Sequence, residues 1–525
     1  MKLVRTLIVT LALGLCLFAL SQPTSGGTMV FAGNQEPSSI DPLLMSGNVN
    51  EREVAAQMFE TLVYMDQDQV VHPGLAVSWS SSDDKTEWTF DVRQGVSFHN
   101  GDPFSAQSVV AQLEFVRNDE SLIGGAWGVL KPLLVSAEAV DEDTVVVTLK
   151  EPRPDLLTDL ADPGLGITNI AHIERVGQDA SFQPIGTGPF KFKEWISGSH
   201  ITLERNPDWT WGSTVFDHSG PAYLDELVFR FIPEAQTRLA TLETGETHFL
   251  DLLPFADIQR LYQDSRFTVT EFLLPGMPQM NYLNTRISPT NDLAVRQAIN
   301  YATDKQAIID TVYFGLVEPA YGPLSRAFPE YDPSLENMYP YDPDMAIQLL
   351  EEAGWVDSNG DGVREKDGEA LSVVIVENKS WNDWVYVLQA LLQDIGFDAE
   401  VLTTQGPSNT AAIASGQYAV PSMGDVFANV TQMTRDWHSD GYGTFPSSHF
   451  WDDPTLDELL EDAQTEIDID VRTEKYVNIQ NYIMENALMV PIFELFFYAA
   501  HANNLDGFVV DATGFYKYFA AAHFN

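Results

Sequence analysis

The acidic and glycine residues of segment 357–369 have the spacing of a calcium-binding loop. Asp357, Asn359 and Asp361 occupy the first, third and fifth positions, where carboxylate and amide oxygens would coordinate the ion. The twelfth position of such a loop needs a bidentate glutamate, but here it is Gly368. A polar β-hairpin without a metal is the alternative, and we predict the hairpin.

His99 stands between an aromatic residue and an Asn-Gly turn, where a histidine could ligate a metal or act as a base. No second histidine or cysteine lies at ligand spacing from it, so we expect His99 to hold the turn by a hydrogen bond. Gly-x-Ser-x-Gly, His-Glu-x-x-His and phosphate-binding glycine motifs are absent from the sequence. The sequence thus predicts no catalytic residues, no cofactor and no enzyme activity.

Two tryptophans, Trp381 and Trp384, follow an apolar strand and precede a helix that runs through Leu391. In α/β folds, ligands bind where strand ends face helix N-termini, and the free amide N–H groups there favour carboxylate groups. The indole rings could stack on a ligand. The alternative is that one or both rings pack against the helix.

The bulk properties of the chain limit what can position these residues. At 525 residues it is longer than one ordinary core supports, so two or more lobes are expected. Asp and Glu number 76 against 28 Lys and Arg, a net charge of −48, which disfavours nucleic acid and anionic lipid surfaces as partners. We interpret this charge as halophilic, because salt screens the self-repulsion; an ordinary acidic exported protein is the alternative.

We predict that residues 1–26 are a secretory signal peptide. Lys2 and Arg5 form a basic region, and the apolar stretch 7–20 that follows has the length of a signal core. The one cysteine of the chain, Cys16, lies in this stretch. A lipoprotein cysteine is the alternative, but leucine rather than a small residue precedes it. The mature protein is therefore expected to be periplasmic and to lack thiols.

Strand-like and helix-like segments alternate along the chain, which indicates α/β lobes. Several blocks resemble, in order, the extracytoplasmic solute-binding proteins of ABC importers, in their peptide/nickel-type (family 5) branch. The blocks are PGLAVSW (Pro73 to Trp79), FHNGDPF (Phe98 to Phe104), IGTGPFKFKEW (Ile185 to Trp195), YLNTRISPTNDLAVRQAINYATD (Tyr282 to Asp304) and YDPDMAIQLLEEAGW (Tyr341 to Trp355). In the fourth block, Asn291-Asp292 can cap a helix that begins near Leu293, and Val295, Ala298, Ile299 and Ala302 are predicted to share one apolar face of it.

The resemblance implies a two-lobed periplasmic-binding-protein fold of the α/β class, type II, with an extra subdomain. Two chain crossings form a hinge, which we expect near Pro275-Gly276 and in the apolar strand 491–502. The predicted divisions are lobe I at 28–276 plus 498–525, the extra subdomain at 58–183 within it, and lobe II at 277–497.

Peptide binders that this chain resembles usually carry a Gly-Trp-x-x-Asp motif whose aspartate pairs with the α-ammonium of the peptide. An alignment without gaps puts Asp425 at the tryptophan position and Ala428 at the aspartate position. An alignment with an insertion instead matches Trp437 and Asp440 to the motif. The predicted solute-binding residues are Met277, Trp381, Trp384, Asp425, Phe427, Asp436, Trp437 and Asp440.

The function implied by the resemblance is capture of a small solute between two lobes and delivery to an ABC permease in the membrane. We expect the solute to be an oligopeptide, and an oligosaccharide, an opine-like compound or a metal chelate is the alternative. We expect a monomer that binds no nucleic acid. A different class of function, a secreted hydrolase with an acidic dyad in a cleft, would need two carboxylates in fixed geometry. A sensory binding subunit that presents its ligand to a receptor is a third possibility.

Overall fold

The computed structural model describes residues 23, 25–45, 49–119, 127–378, 383–404, 407–441 and 446–525. Residues 1–22 and 24 of the predicted signal peptide, with Cys16 among them, and Trp381 lie outside the described residues. Within the described part the α-helices are α1 (Val49–Ala55), α2 (Ala106–Asn118), α3 (Trp127–Leu130), α4 (Leu156–Leu160), α5 (Ile170–Val176), α6 (Ala235–Thr244), α7 (Phe255–Leu261), α8 (Leu293–Ala302), α9 (Lys305–Val312), α10 (Pro343–Glu352), α11 (Trp384–Asp394), α12 (Pro407–Ala414), α13 (Gln432–Trp437), α14 (Pro454–Gln464) and α15 (Ile469–Glu485).

The strands of the same described residues belong to several sheets of different size. They are β1 (Thr28–Gly33), β2 (Val63–Met65), β3 (Val71–Pro73), β4 (Ala76–Ser81), β5 (Glu87–Val92), β6 (Leu134–Ala139), β7 (Thr144–Leu149), β8 (Phe190–Ile196), β9 (His200–Arg205), β10 (Glu226–Phe231), β11 (Phe249–Leu250), β12 (Phe267–Leu273), β13 (Gly276–Tyr282), β14 (Glu365–Lys366), β15 (Glu369–Ala370), β16 (Ser372–Asn378), β17 (Asp398–Thr404), β18 (Val420–Val426), β19 (Met489–Phe493), β20 (Phe496–Ala502), β21 (Leu505–Asp506), β22 (Val509–Val510), β23 (Lys517–Tyr518) and β24 (His523–Phe524).

The larger of the two main sheets has seven strands in the order β12-β20-β11-β1-β10-β9-β8. Strand β1 runs parallel to β10 and to β11, and the other neighbouring pairs are antiparallel. All of these strands except β20 lie before residue 274. A four-stranded antiparallel sheet, in the order β4-β5-β7-β6, packs against α2 and carries a core of its own.

The second main sheet has five strands in the order β17-β16-β18-β13-β19. Strand β16 is parallel to β17 and β18, and β13 is antiparallel to β18 and β19. Side chains of β16 alternate between two cores: Val373 and Ile375 pack with α8, α10 and α11, whereas Val376 packs with α14 and α15. This period of two is expected for a strand that is covered on both faces.

The chain passes between the two main sheets at two places. Strand β12 ends at Leu273 and β13 begins at Gly276, while β19 ends at Phe493 and β20 begins at Phe496. The two passages are bonded to each other, because the amide of Leu274 donates to the carbonyl oxygen of Leu495 at 2.9 Å. They therefore lie side by side.

Several local predictions are confirmed. Asp292 caps α8 by accepting from the amide of Ala294, and the predicted apolar face of that helix is buried. Segment 357–369 contains the polar hairpin β14–β15. His99 holds its turn, since its Nε2 lies 3.1 Å from the carbonyl oxygen of Gly188. In the described part of the chain, no helix has the length and apolar character needed to cross a lipid bilayer.

Candidate functional site

Strand β18 brings Asp425 to the first passage between the sheets. In the register of β13 and β18, Met277 lies opposite Asp425. Gly276 has φ of 129°, and a Cβ at this position would overlap the carbonyl oxygen of Asp425. Only glycine permits both the positive φ and the close approach. The backbone of Asp425 is therefore fixed where the chain moves from one sheet to the other.

Arg435 on helix α13 lies between two aspartates. Its guanidinium forms an ion pair with Asp425, and its Nε donates to Oδ1 of Asp436 at 2.5 Å. The side chains of Arg435 and Asp425 are 26% and 32% exposed, whereas that of Asp436 is fully buried. The buried carboxylate of Asp436 thus fixes the guanidinium of Arg435 in place. The carboxylate of Asp425 contacts the same guanidinium at a position that solvent reaches.

Burial raises the pKa of Asp436 to about 7; the adjacent Arg435 opposes this rise, and the charge of Asp425 adds to it. Burial lowers the pKa of Arg435, but the two carboxylates outweigh it and raise that pKa overall. The guanidinium is therefore charged at all physiological pH values. Asp436 changes its protonation near neutrality.

Arg52, in the last turn of α1, lies in a second group of charged and polar side chains. Its Nη1 lies 3.1 Å from Oδ2 of Asp162 and donates to the hydroxyl of Tyr516 at 3.4 Å. Burial lowers the pKa of Arg52, but the charges of Asp162, Tyr516 and Asp425 raise it overall. The charge of Asp425 makes the smallest of these contributions, so its interaction with Arg52 is weak and long-range. We call these residues the cleft cluster: Arg52, Asp162, Asp425, Arg435, Asp436 and Tyr516.

A buried lysine holds the two elements that carry Arg52 and Tyr516. Lys517 Nζ lies 2.6 Å from Oδ2 of Asp251 and 3.7 Å from Oε2 of Glu53, and 4.4 Å from the ring centroid of Phe497. Glu53 belongs to α1 and Lys517 to the C-terminal tail, so their ion pair fastens the tail to the helix. Their chain neighbours Arg52 and Tyr516 are thereby presented together.

The predicted aromatic residues Trp384 and Trp437 are fully buried. The ring of Trp437 stacks on Trp451 with centroids 5.4 Å apart and meets Tyr282 edge-on at 5.1 Å. Trp384 meets Phe493 edge-on at 6.2 Å. A ring without an exposed face offers no surface for stacking. In this structure both tryptophans therefore pack in the core, which is the alternative noted for Trp384, and not against a solute.

The other predicted residues divide between core and surface. Met277 and Phe427 are buried, and the ring of Phe427 packs against that of Phe328 at 5.7 Å. The side chain of Asp440 is 67% exposed, with Oδ1 2.9 Å from Nδ1 of His438. Of the predicted residues that the structure describes, Asp425 and Asp436 are the ones brought together in the cleft cluster. Trp381 lies outside the described residues.

Sequence reasoning missed Arg52, Asp162 and Tyr516. Arg52 and Asp162 are 110 positions apart in the chain, and Arg52 and Tyr516 are 464 apart, so no local pattern connects them. The one local signal is an arginine between two glutamates within the short helix α1.

The calcium-like loop binds its own backbone. The carboxylate of Asp357 accepts from the amides of Gly360 at 2.7 Å and Gly362 at 3.0 Å, and these bonds lower the pKa of Asp357. Among the described residues, no group of three or more His, Cys, Asp or Glu side chains is arranged to hold a metal ion.

Comparison with known proteins places this geometry in context. Residues 70–443 match the family model of bacterial extracellular solute-binding proteins, family 5. The nickel-binding periplasmic protein of Escherichia coli (strain K12) is 28% identical over 84% of each chain, and the glutathione-binding protein GsiB of Salmonella typhi is 25% identical over 93% of each.

A solved structure gives the same result for the fold. The periplasmic binding protein DppA of Helicobacter pylori, in complex with the peptide STSA, superposes with a TM-score of 0.80 at 25% identity, covering 95% of this chain and 98% of that one. The predicted two-lobed α/β fold and the predicted family are therefore confirmed. The chain belongs to the bacterial extracellular solute-binding proteins of family 5, which are the non-enzymatic substrate-binding components of ABC importers.

Proposed function

We propose that the solute is a peptide with free termini and that the cleft cluster holds it. The observation that carries this proposal is the mixed charge of the cluster, because the carboxylate of Asp425 and the guanidinium of Arg435 are paired and both partly exposed. A free peptide presents an ammonium and a carboxylate. Charge-assisted hydrogen bonds to both ends favour such a zwitterion over a neutral sugar.

Two relatives support this choice by what they bind. The glutathione-binding protein GsiB and the peptide complex of DppA each take a ligand with peptide bonds, whereas the Escherichia coli relative binds nickel. Because the described residues contain no arrangement suited to a bare metal ion, we favour the peptide.

We also propose the export, oligomeric state and environment that the sequence predicts. The chain is exported by residues 1–26, works as a monomer in the periplasm, binds no nucleic acid and suits a saline environment. Its lobes divide at the predicted boundaries. Support for the boundaries comes from the strands, since β1 to β12 and β20 form sheets apart from β13 to β19.

The test is titration calorimetry of the exported protein with a library of di- to pentapeptides, supported by mass spectrometry of any solute that co-purifies. Asp425→Ala should weaken binding of the best peptide by about 2–5 kcal/mol, because the ammonium would be left buried without a partner. Asp440→Ala is the matched control, since this aspartate is exposed and pairs with His438; its affinity should equal that of the parent.

The outcomes separate the alternatives. If Asp440→Ala rather than Asp425→Ala loses affinity, the ammonium partner is Asp440. A parent protein that binds no peptide of the library, or an Asp425→Ala variant that binds as tightly as the parent, contradicts the proposal.

A further inference from the structure

A buried ion pair lies in the segment between the four-stranded sheet and strand β8. Nε and Nη2 of Arg153 lie 2.7 Å and 3.0 Å from the two carboxylate oxygens of Asp159. The two side chains are 7% and 4% exposed. The same Asp159 carboxylate accepts from Nδ2 of Asn429 at 2.7 Å. Asn429 comes from the loop that follows β18 of the five-stranded sheet.

A second contact joins the same two regions. Nη1 of Arg472, on helix α15, lies 2.7 Å from Oδ1 of Asp155, and these side chains are 8% and 16% exposed. The hydroxyl of Tyr476, one turn along α15, is buried; burial and, second to it, the charge of Asp155 raise the pKa of that hydroxyl. Helix α15 lies between β18 and β19 in the chain and packs in the core of the five-stranded sheet.

These contacts connect parts of the chain that belong to different sheets. Asp155 and Asp159 lie beside Leu156 and Leu160, which pack in the core of the four-stranded sheet, whereas Asn429 and Arg472 lie within the stretch that forms the five-stranded sheet. Removing charges from water is costly, and the attraction offsets that cost only in close, well-bonded geometry. If the two surfaces separated, the charges would regain water. The network is therefore specific to the arrangement in which the two sheets are close.

Asn429 is also linked to the helix that carries Arg435 of the cleft cluster. Its Oδ1 accepts from the amide of Thr431 at 3.0 Å and from the Thr431 hydroxyl at 2.8 Å. Thr431 is the residue that precedes α13, the helix that carries Arg435. A continuous path of hydrogen bonds thus runs from Asp159 through Asn429 to the start of α13.

We propose that Asp155 and Asp159 form an interlobe latch with Arg472 and Asn429, which keeps the closed form closed and positions α13, with Arg435, against the solute. The latch deepens the proposed function and rests on its claim that the cleft cluster holds a peptide. In the latch, Asn429 positions helix α13, and Arg472 holds the two lobes together through its ion pair with Asp155.

The experiment compares Arg472→Met and Asn429→Ala with the parent protein. Lys475→Met is the matched control, because Lys475 lies on the same helix α15 but pairs with Asp462 and Glu466 on its own side. The first readout is the dissociation rate of the tightest peptide of the library, measured by stopped flow. Latch variants should release it roughly tenfold faster with an unchanged association rate, since changes within one interface act mainly on dissociation.

The second readout needs no solute. Small-angle scattering of the ligand-free latch variants should give a larger radius of gyration than the parent, while Lys475→Met matches the parent. In the double variant Asp155→Leu/Arg472→Met the effects of the single changes should not add, because each removes the same contact. Thermal unfolding checks that every variant is folded at the temperature of measurement.

Each outcome decides the matter. Unchanged dissociation and unchanged scattering in both latch variants overturn the latch, and so does an equal effect in Lys475→Met, which would indicate general loosening of α15. If the parent binds no peptide, the proposed function fails. In that case the ligand-free scattering still decides whether Arg472 and Asn429 hold the lobes together.

Discussion

The cleft cluster and the interlobe latch are built from the same chemistry, arginine paired with aspartate, but they differ in burial. In the cluster, Arg435 and Asp425 are about a quarter to a third exposed. In the latch, Arg472 and Asp155 are largely enclosed, with side chains 8% and 16% exposed. An exposed pair can exchange its partner for a solute, whereas an enclosed pair has no access to one. Burial rather than residue type therefore separates the group that binds from the group that holds.

The same difference sets the energetic consequences. Exposed ion pairs contribute about 0–1 kcal/mol, because water and salt screen them. Removing one partner of a buried pair costs about 3–5 kcal/mol, because the other charge stays behind without compensation. Substitutions in the two regions should therefore differ in the size of the effect and in the property that changes.

The largest effect is expected for Arg153→Met. This change leaves Asp159 buried without its guanidinium, so the free energy of unfolding should fall by about 3–5 kcal/mol in urea titrations. Arg230→Met is the matched control, because the side chains of the Arg230–Glu246 pair are 37% and 58% exposed and the pair should contribute about 0–1 kcal/mol. Equal losses in the two variants would mean that burial does not distinguish these pairs.

A smaller loss of stability is expected for Arg435→Met. The buried Asp436 loses its hydrogen-bonded cation, which should lower the free energy of unfolding by about 1.5–3 kcal/mol. Peptide affinity should also fall in Arg435→Met. In Arg153→Met, by contrast, the main change should be in the free energy of unfolding. If Arg435→Met binds peptide as the parent does, the cleft cluster is not the binding group.

How far the sequence predicts these regions depends on distance along the chain. The capped helix α8, the polar hairpin and the role of His99 follow from neighbouring residues, and all three are confirmed. The electrostatic interaction between Arg52 and Asp425 depends on how distant segments of the chain pack, so no local sequence pattern predicts it. Trp437 shows the same limit. A tryptophan beside charged residues in the sequence is compatible with an exposed or a buried ring, and the fold buries this one.

The pH dependence of stability tests the buried carboxyls. Burial raises the pKa values of Glu60, Asp436 and Glu494 to about 7, above the values of about 3.9–4.3 in unfolded chains. A raised folded-state pKa gives stability that is complete below the unfolded pKa and lost as pH rises through the folded one. Tm should therefore fall between pH 5 and pH 8 at constant ionic strength.

The variant Glu494→Gln isolates one share of that fall. Glu494 lies in the second passage between the sheets, and its Oε1 accepts from the amide of Arg326 at 3.4 Å. The neutral side chain should flatten the slope of Tm against pH, by an amount of the order of 1–2 kcal/mol in unfolding free energy. A parent Tm that rises from pH 5 to pH 8 would contradict the assignment of these carboxyls.

Salt should act differently on the two regions. With a net charge of −48, the folded chain repels itself, so Tm should rise from low to molar NaCl. Sorbitol at equal osmolality is the control that leaves charge unscreened. Peptide affinity should weaken with salt because the cluster is partly exposed, while the rate of peptide release should change little because the latch is enclosed. A Tm that stays level or falls would contradict the halophilic interpretation.

The central claim is that a solute bound at the cleft cluster keeps the two lobes closed. Small-angle scattering of the parent protein, with and without a saturating peptide from the library, tests it most directly. Hinge closure predicts a smaller radius of gyration at full occupancy. Calorimetry on the same sample checks that the occupancy is full. Full occupancy with an unchanged radius of gyration would contradict the account.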